Sequence, residues 1–173
     1  MKVIGIAGPM GSGKTTMGQI IAKMFHGPVH HLPFSTPLKQ MAYSMGWNGK
    51  KDAKGRRLLQ LLGTDCGRNC IDYDIWIKKW IDQIKWCENQ NRLIVVDDVR
   101  FFNEVQTIAR YQGFLIKMTG RGEYSEHGSE QELHDMHFHL RPKNDSTIDL
   151  LACELKTGET AKGLRNFLNA TTP

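Results

Sequence analysis

Gly8-Pro9-Met10-Gly11-Ser12-Gly13-Lys14-Thr15 follows a short apolar run, Val3 to Ala7, and precedes apolar residues at Met17, Ile20, Ile21 and Met24. The run ending in glycine reads as a buried strand, and the three- and four-residue spacing after it reads as one face of a helix. Between them stands a full match to G-x-x-x-x-G-K-[ST], in the strand-loop-helix order that this phosphate-binding motif requires. Gly8, Gly11 and Gly13 let backbone N–H groups turn inward around phosphate oxygens, and the positive end of the following helix favours the anion. Lys14 is placed to reach β- and γ-phosphates and Thr15 to offer its hydroxyl to Mg²⁺, with Ser12 and Thr16 completing the loop that would hold ATP.

Working outward, Val29 to Phe34 reads as a second strand, and Pro37 opens a helix through about Met45, because proline suits a first helical turn. Gly46, Gly49 and Gly55 mark a loop, Arg56 to Leu62 is helical, and Gly63, Thr64 and Asp65 read as a turn. Tyr73, Ile77, Trp80, Ile84 and Cys87 then repeat at steps of four and three, giving a long amphipathic helix. Leu93 to Val96 is a continuous apolar run of the kind buried on both faces of a parallel sheet. A helix with Val105 and Ile108 inward follows, then a strand from Phe114 to Met118, a polar stretch from Thr119 to Glu130, and a last strand near His137 to Leu140. Ile148, Leu151 and Leu155 have helical spacing, as do Leu164 and Leu168 beyond Gly158. Strands alternating with helices over 173 residues imply a single α/β domain with a mainly parallel sheet.

Composition narrows the function less. Hydrophobic residues make up 40% and charged residues 24%, ordinary for a globular chain, and the net charge of +5 suits an anionic partner or simply a scattered surface. No stretch approaches membrane length and the N-terminus lacks a secretory pattern, so a cytoplasmic protein is expected. Cys66, Cys70, Cys87 and Cys153 form no C-x-x-C pair and read as reduced thiols. His127, His134, His137 and His139 have no cysteine partners either, and packing or exposure accounts for them better than zinc.

Asp97 and Asp98 end the third strand at its carboxyl edge, where open α/β sheets hold ligands, so one or both should hold the magnesium. Phosphoryl transfer needs cations around in-line oxygens more than a nucleophile, which directs attention to arginine. Asp98, Arg100 and Glu104 form D-x-R-x-x-x-E, where Arg100 and Glu104 would share a helix face, either as an ion pair or as ligand-binding groups. Arg56, Arg57 and Arg68 flank Gln60 and fit either a phosphate clamp or a solvated face.

GPMGSGKT at 8–15, FSTPLK at 34–39, RRLLQLLGTD at 56–65 and DDVRFFNE at 97–104 together resemble the bacteriophage deoxynucleoside monophosphate kinase family. HGSEQEL at 127–133 and NDST at 144–147 are similar to its late motifs. The resemblance implies a three-layer P-loop fold with a five-stranded parallel core, a helical acceptor-binding insertion at about 36–90 and a short lid at about 119–130. It makes Lys39, Arg57, Gln60, Asp65 and Arg100 acceptor-binding candidates, with Arg56, Arg68 and Glu104 weaker. Lys14, Asp98, Arg100 and Arg121 become the catalytic set, with Arg121 on the lid and Asn144 near the ATP base. The lid departs from arginine-rich lids in holding one arginine.

The implied reaction moves a phosphoryl group from ATP, with Mg²⁺, to a deoxynucleoside monophosphate. Two rivals stand beside it: a P-loop kinase of another small acceptor such as dephospho-coenzyme A, and a non-catalytic nucleotide- or nucleic-acid-binding module. The basic residues form no contiguous tract, which counts against nucleic acid. A homodimer is compatible with the sequence.

Overall fold

The computed structural model describes residues 1–88, 90–120, 138–139, 143–144 and 161–170. They fall into two compact units, one formed by 1–33 with the chain from 89 onward, the other by 34–88.

In the first unit, β1 (Lys2–Ala7), β2 (Val29–His31), β3 (Leu93–Val99) and β4 (Phe114–Lys117) form a four-stranded sheet in the order β2-β3-β1-β4. Every pairing is parallel. Among the described residues, this unit's helices are α1 (Lys14–Met24), α5 (Phe102–Arg110) and α6 (Lys162–Asn169), numbered in chain order with the helices Thr36–Ser44, Ala53–Gln60 and Ile75–Ile84 of the other unit as α2 to α4. Alternation along β1 sorts its two faces. Ile4 and Ile6 face Met17, Ile20 and Ile21 of α1 and Leu164 and Leu168 of α6, within a core shared with Leu93, Val95, Phe114 and Ile116. The opposite face presents Gly5, where a Cβ would stand 2.3 Å from Ile108 Cδ1 of α5. Helices on both faces of a parallel sheet give the three-layer α/β arrangement, and each buried Ile, Leu or Val side chain contributes about 1.5–3 kcal/mol.

The pairing of β1 with β3 is irregular at one place. Gly5 pairs with Val96 and Ala7 with Val99, so β3 spends one residue more than β1 over this interval, a bulge at Asp97 and Asp98. Bulges bend the strand and re-aim side chains, and this one falls at the two carboxylates that end the strand.

Among the described residues the main sheet has four strands where five were expected. His139 N–H does donate to Leu115 O at 2.9 Å, as an added strand would, but Leu115 N–H is taken by the His139 ring Nδ1 at 3.0 Å instead of a backbone carbonyl. The imidazole, stacked on Phe114 with centroids 4.8 Å apart, thus replaces the ladder partner. His137 and Leu140 lie outside the described residues. A separate parallel pair joins β5 (Thr119–Gly120) to β6 (Lys143–Asn144). Lys2 ties β1 to α6: its ammonium donates to Phe167 O and Leu168 O at 2.7 Å each and also to Ala170 O. These are carbonyls a helix end leaves without partners, and a cation suits that end.

The second unit holds α2 (Thr36–Ser44), α3 (Ala53–Gln60), a π-helical segment (Leu61–Ile71) and α4 (Ile75–Ile84), which tightens into a 3₁₀ turn over Lys85–Cys87. Pro37 stands in the first turn of α2 as expected. Helix α3 begins earlier than the sequence reading placed it, because Asp52 caps it by accepting from Gly55 N–H at 2.8 Å. Gly55 therefore belongs to the helix, where any Cβ would meet Lys50 O at 2.0 Å. The turn expected at Gly63 to Asp65 is also corrected, since helical winding continues to Ile71. Gly67 explains part of this: a Cβ there would lie 2.7 Å from Trp76 Cζ2, so only glycine lets α4 approach so closely. Trp80 and Phe34 pack at 4.7 Å between centroids in this unit's interior.

Candidate functional site

Parallel strands place their carboxyl ends on one edge of the sheet, which is where ligands bind in such folds. That edge carries the loop after β1, the end of β2 and the bulged end of β3.

The loop takes the backbone form the motif calls for. Gly8 and Gly13 have φ of 145° and 85°, conformations that side chains oppose. Gly8 also sits against the residue that follows β4, since a Cβ would come within 2.8 Å of Met118 Cβ. Gly13 leads into α1, whose first turn contains no acidic residue, so its positive end is not offset. Lys14 Nζ donates to Gly8 O at 2.8 Å and to Pro9 O at 2.6 Å, which draws the ammonium back over the loop. Ser12 is fully buried and Thr16 half-buried beside it.

Thr15 Oγ1 donates to Asp97 Oδ2 at 2.6 Å. On the other side of the carboxylate, His31 Nε2 lies 2.8 Å from Oδ1. Burial pushes the Asp97 pKa up, but hydrogen bonds from His31 and Thr15, with the His31 charge, outweigh it and hold the group below the ordinary aspartate value. Thr15 and Asp97 therefore offer two adjacent hard oxygens, one anionic, which fits Mg²⁺. Of the two aspartates left open by the sequence, Asp97 is the one that reaches Thr15, while Asp98 is half-buried at the same bulge.

Arg100 follows β3 directly and is exposed. The shared helix face expected for Arg100 and Glu104 is corrected, because α5 starts only at Phe102. Glu104 is 3% exposed and its Oε2 accepts from the backbone N–H groups of Arg100 at 2.8 Å and Phe101 at 3.2 Å. N–H groups of the chain entering a helix need an acceptor, and Glu104, the third residue of α5, reaches back to supply it, fixing the backbone from which the guanidinium projects.

In the helical unit, Lys39 lies on α2, Arg56, Arg57 and Gln60 on α3, and Asp65 and Arg68 on the π-helical segment. Arg57, Gln60 and Asp65 are exposed and Lys39 half-buried. Arg56 Nε donates to Lys51 O at 2.9 Å. Arg68 is 6% exposed, donates to Tyr73 O at 3.0 Å and lies 5.5 Å from the Tyr73 ring centroid, so its guanidinium braces the segment. Arg121 and most of the expected lid lie outside the described residues, and of Asn144 only the backbone, in β6, is described. Of the four histidines considered for zinc, His139 alone is described. Cys66, Cys70 and Cys87 form no disulfide among the described residues. No helix among the described residues is long and apolar enough to cross a membrane. His31 escaped the sequence reading, because it falls inside the strand expected over Val29 to Phe34 and becomes the strand's last residue only in the structure.

The family model for deoxynucleotide monophosphate kinase matches residues 40–154. The chain belongs to the deoxynucleotide monophosphate kinase family. A protein of Acanthamoeba polyphaga mimivirus that carries the provisional description of deoxynucleotide monophosphate kinase is 28% identical, over 86% of this chain and 91% of its own length. Among solved structures, a sugar kinase from Janibacter superposes with a TM-score of 0.51 at 12% identity, covering 95% of this chain and 98% of that one. The Mycobacterium tuberculosis APS kinase CysC gives a TM-score of 0.48 at 11% identity, covering 90% and 94%. Membership in this family, with the phosphate loop and the Thr15–Asp97 pair, makes the chain a P-loop nucleotide kinase.

Proposed function

We propose that the chain catalyses direct transfer of the γ-phosphoryl group of ATP to a deoxynucleoside monophosphate, giving the diphosphate. The observation that carries this reading is the Thr15–Asp97 contact of 2.6 Å at the mouth of a phosphate loop, in a chain of this family. In it, Gly8, Gly11, Ser12, Gly13, Lys14, Thr15 and Thr16 hold the ATP phosphates and Asn144 lies by the base. Thr15 and Asp97, with Asp98 beside them, hold Mg²⁺, which when bound offsets charge on the phosphate oxygens. Lys14, Arg100 and Arg121 stabilise charge on the phosphoryl group in transit, worth about 10²–10³-fold each. Lys39, Arg57, Gln60 and Asp65 hold the acceptor, and segment 119–130 closes to keep water away from it. Arg56, Arg68 and Glu104 serve by shaping those surroundings.

A coupled assay with ATP and each of dGMP, dTMP, dCMP and dAMP, alongside the ribonucleotides, tests this. Diphosphate formation with at least one deoxynucleotide is expected, and Lys14→Ala should cut it by at least about 100-fold with the fold intact. Failure of every acceptor with folded protein, or full activity in Lys14→Ala, overturns the reading.

A further inference from the structure

His31 closes β2 opposite Val95 of β3, and Asp97 stands two residues beyond Val95. Side chains two apart on a strand share a face, and diagonal neighbours on adjacent strands are within reach of long side chains. The backbone continues the pairing through Leu32 N–H to Val95 O at 2.9 Å, which fixes the register that brings the imidazole to the carboxylate. Asp97 is 7% exposed on its side chain and His31 51%, so the carboxylate is enclosed while the ring that holds it sits at the rim. An ionised carboxylate only accepts, so His31 Nε2 carries the hydrogen. With Thr15 on Oδ2 and His31 on Oδ1, each oxygen has its own donor and the carboxylate plane cannot swing about its bond without breaking one contact.

We propose that His31 is a positioning residue for the metal-nucleotide site: its Nε2–H holds Oδ1 of Asp97 so that Oδ2 stays turned to Thr15 and to the cation bound with ATP. This rests on the reading of the phosphate loop and of Asp97 given above, and it extends that reading to a residue the reaction chemistry does not itself require. Hydrogen-bonded partners of ligating carboxylates set ligand orientation, and their loss costs about 10–100-fold in metal affinity or activity.

The test is calorimetric titration of ATP into the full chain at one fixed pH, once with EDTA and once with MgCl₂, for the unsubstituted protein, His31→Ala, His31→Gln and His26→Ala. In His31→Ala the gain in ATP affinity that Mg²⁺ confers should fall by about tenfold, while the affinity in EDTA stays within about twofold. The amide N–H of His31→Gln should restore most of the gain, and His26→Ala, an exposed histidine outside the site, should keep all of it. In turnover, kcat of His31→Ala should fall with the acceptor KM unchanged. An undiminished gain in His31→Ala overturns the proposal, as does a parallel loss of affinity in EDTA or a failure of glutamine to restore what alanine removes. No acceptor is present in the titration, so failure of every deoxynucleotide in the assay leaves this result standing. Absence of any Mg²⁺ gain in the unsubstituted protein overturns the proposal together with the phosphate-site reading.

Discussion

The indole Nε1 of Trp76 donates to the carbonyl oxygen of Gly63 at 2.8 Å, so the first residue of α4's buried face holds a backbone group thirteen positions earlier in the π-helical segment. Wide winding disturbs the usual helical pairing, and a buried carbonyl needs a partner from elsewhere. Trp76→Phe keeps most of the packing and removes the donor. It should destabilise the protein by about 1–3 kcal/mol in urea denaturation, and an unchanged midpoint would show that the carbonyl finds another donor.

Two glycines of the same segment should respond differently to alanine. At Gly63 the new methyl meets Leu38 Cδ2 at 2.9 Å, the tip of a side chain that can turn away. At Gly67 it meets the Trp76 ring at 2.7 Å and the Leu62 backbone oxygen at 2.8 Å, neither of which yields cheaply. Gly67→Ala should cost about 1–3 kcal/mol and Gly63→Ala clearly less, as read from the two denaturation midpoints. Equal costs would contradict the contact geometry.

Arg68 and Arg100 separate stability from turnover. Removing the buried guanidinium in Arg68→Ala leaves the Tyr73 carbonyl short of a charged donor, at an expected cost of about 1.5–3 kcal/mol in thermal or chemical unfolding. Arg100→Ala removes an exposed group, so its melting temperature should hold while kcat/KM falls by about 100-fold. A reversed pattern would exchange the two assignments.

Lys2→Met keeps a stem of similar length but loses the ammonium, which lies 5.8 and 5.7 Å from the Phe25 and Phe167 ring centroids and donates to the α6 carbonyls. Burial pushes the pKa of Lys2 down, yet the carbonyl acceptors favour its charged form, and we expect their loss to dominate. The variant should be less stable by about 1–3 kcal/mol, with hydrogen exchange accelerated first in residues 162–169. Uniform exchange rates across the unit would count against a local clasp.

The sequence made the sheet-and-helix order readable because glycine loop, apolar runs and helical spacing are local signals. Val3 to Ala7, Leu93 to Val96 and Phe114 to Met118 could be placed as strands from a few residues each, and all three are strands in the structure. Strand β2 was expected to reach Phe34 but ends at His31, two residues before Pro33, which has no N–H to extend the ladder. The π-helical segment was not legible, since glycine at 63 and 67 speaks for a turn unless the approach of Leu38 and Trp76 is known. Likewise Lys14, Thr15 and the aspartate pair were legible from the motif and strand end. The link from His31 to Asp97 depends on a strand register between residues distant in sequence, and no local pattern encodes it.

The surplus residue in β3 has a consequence for how this protein can be taken apart. A chain shortened by one at Asp98 could pair β1 and β3 without interruption and keep Val99 opposite Ala7, so the sheet would lose the bend beside Asp97 and little else. Sheet integrity and the Thr15–Asp97 contact would then part company: the shortened protein could fold as well as its parent while the carboxylate lost the backbone kink that turns it toward the hydroxyl.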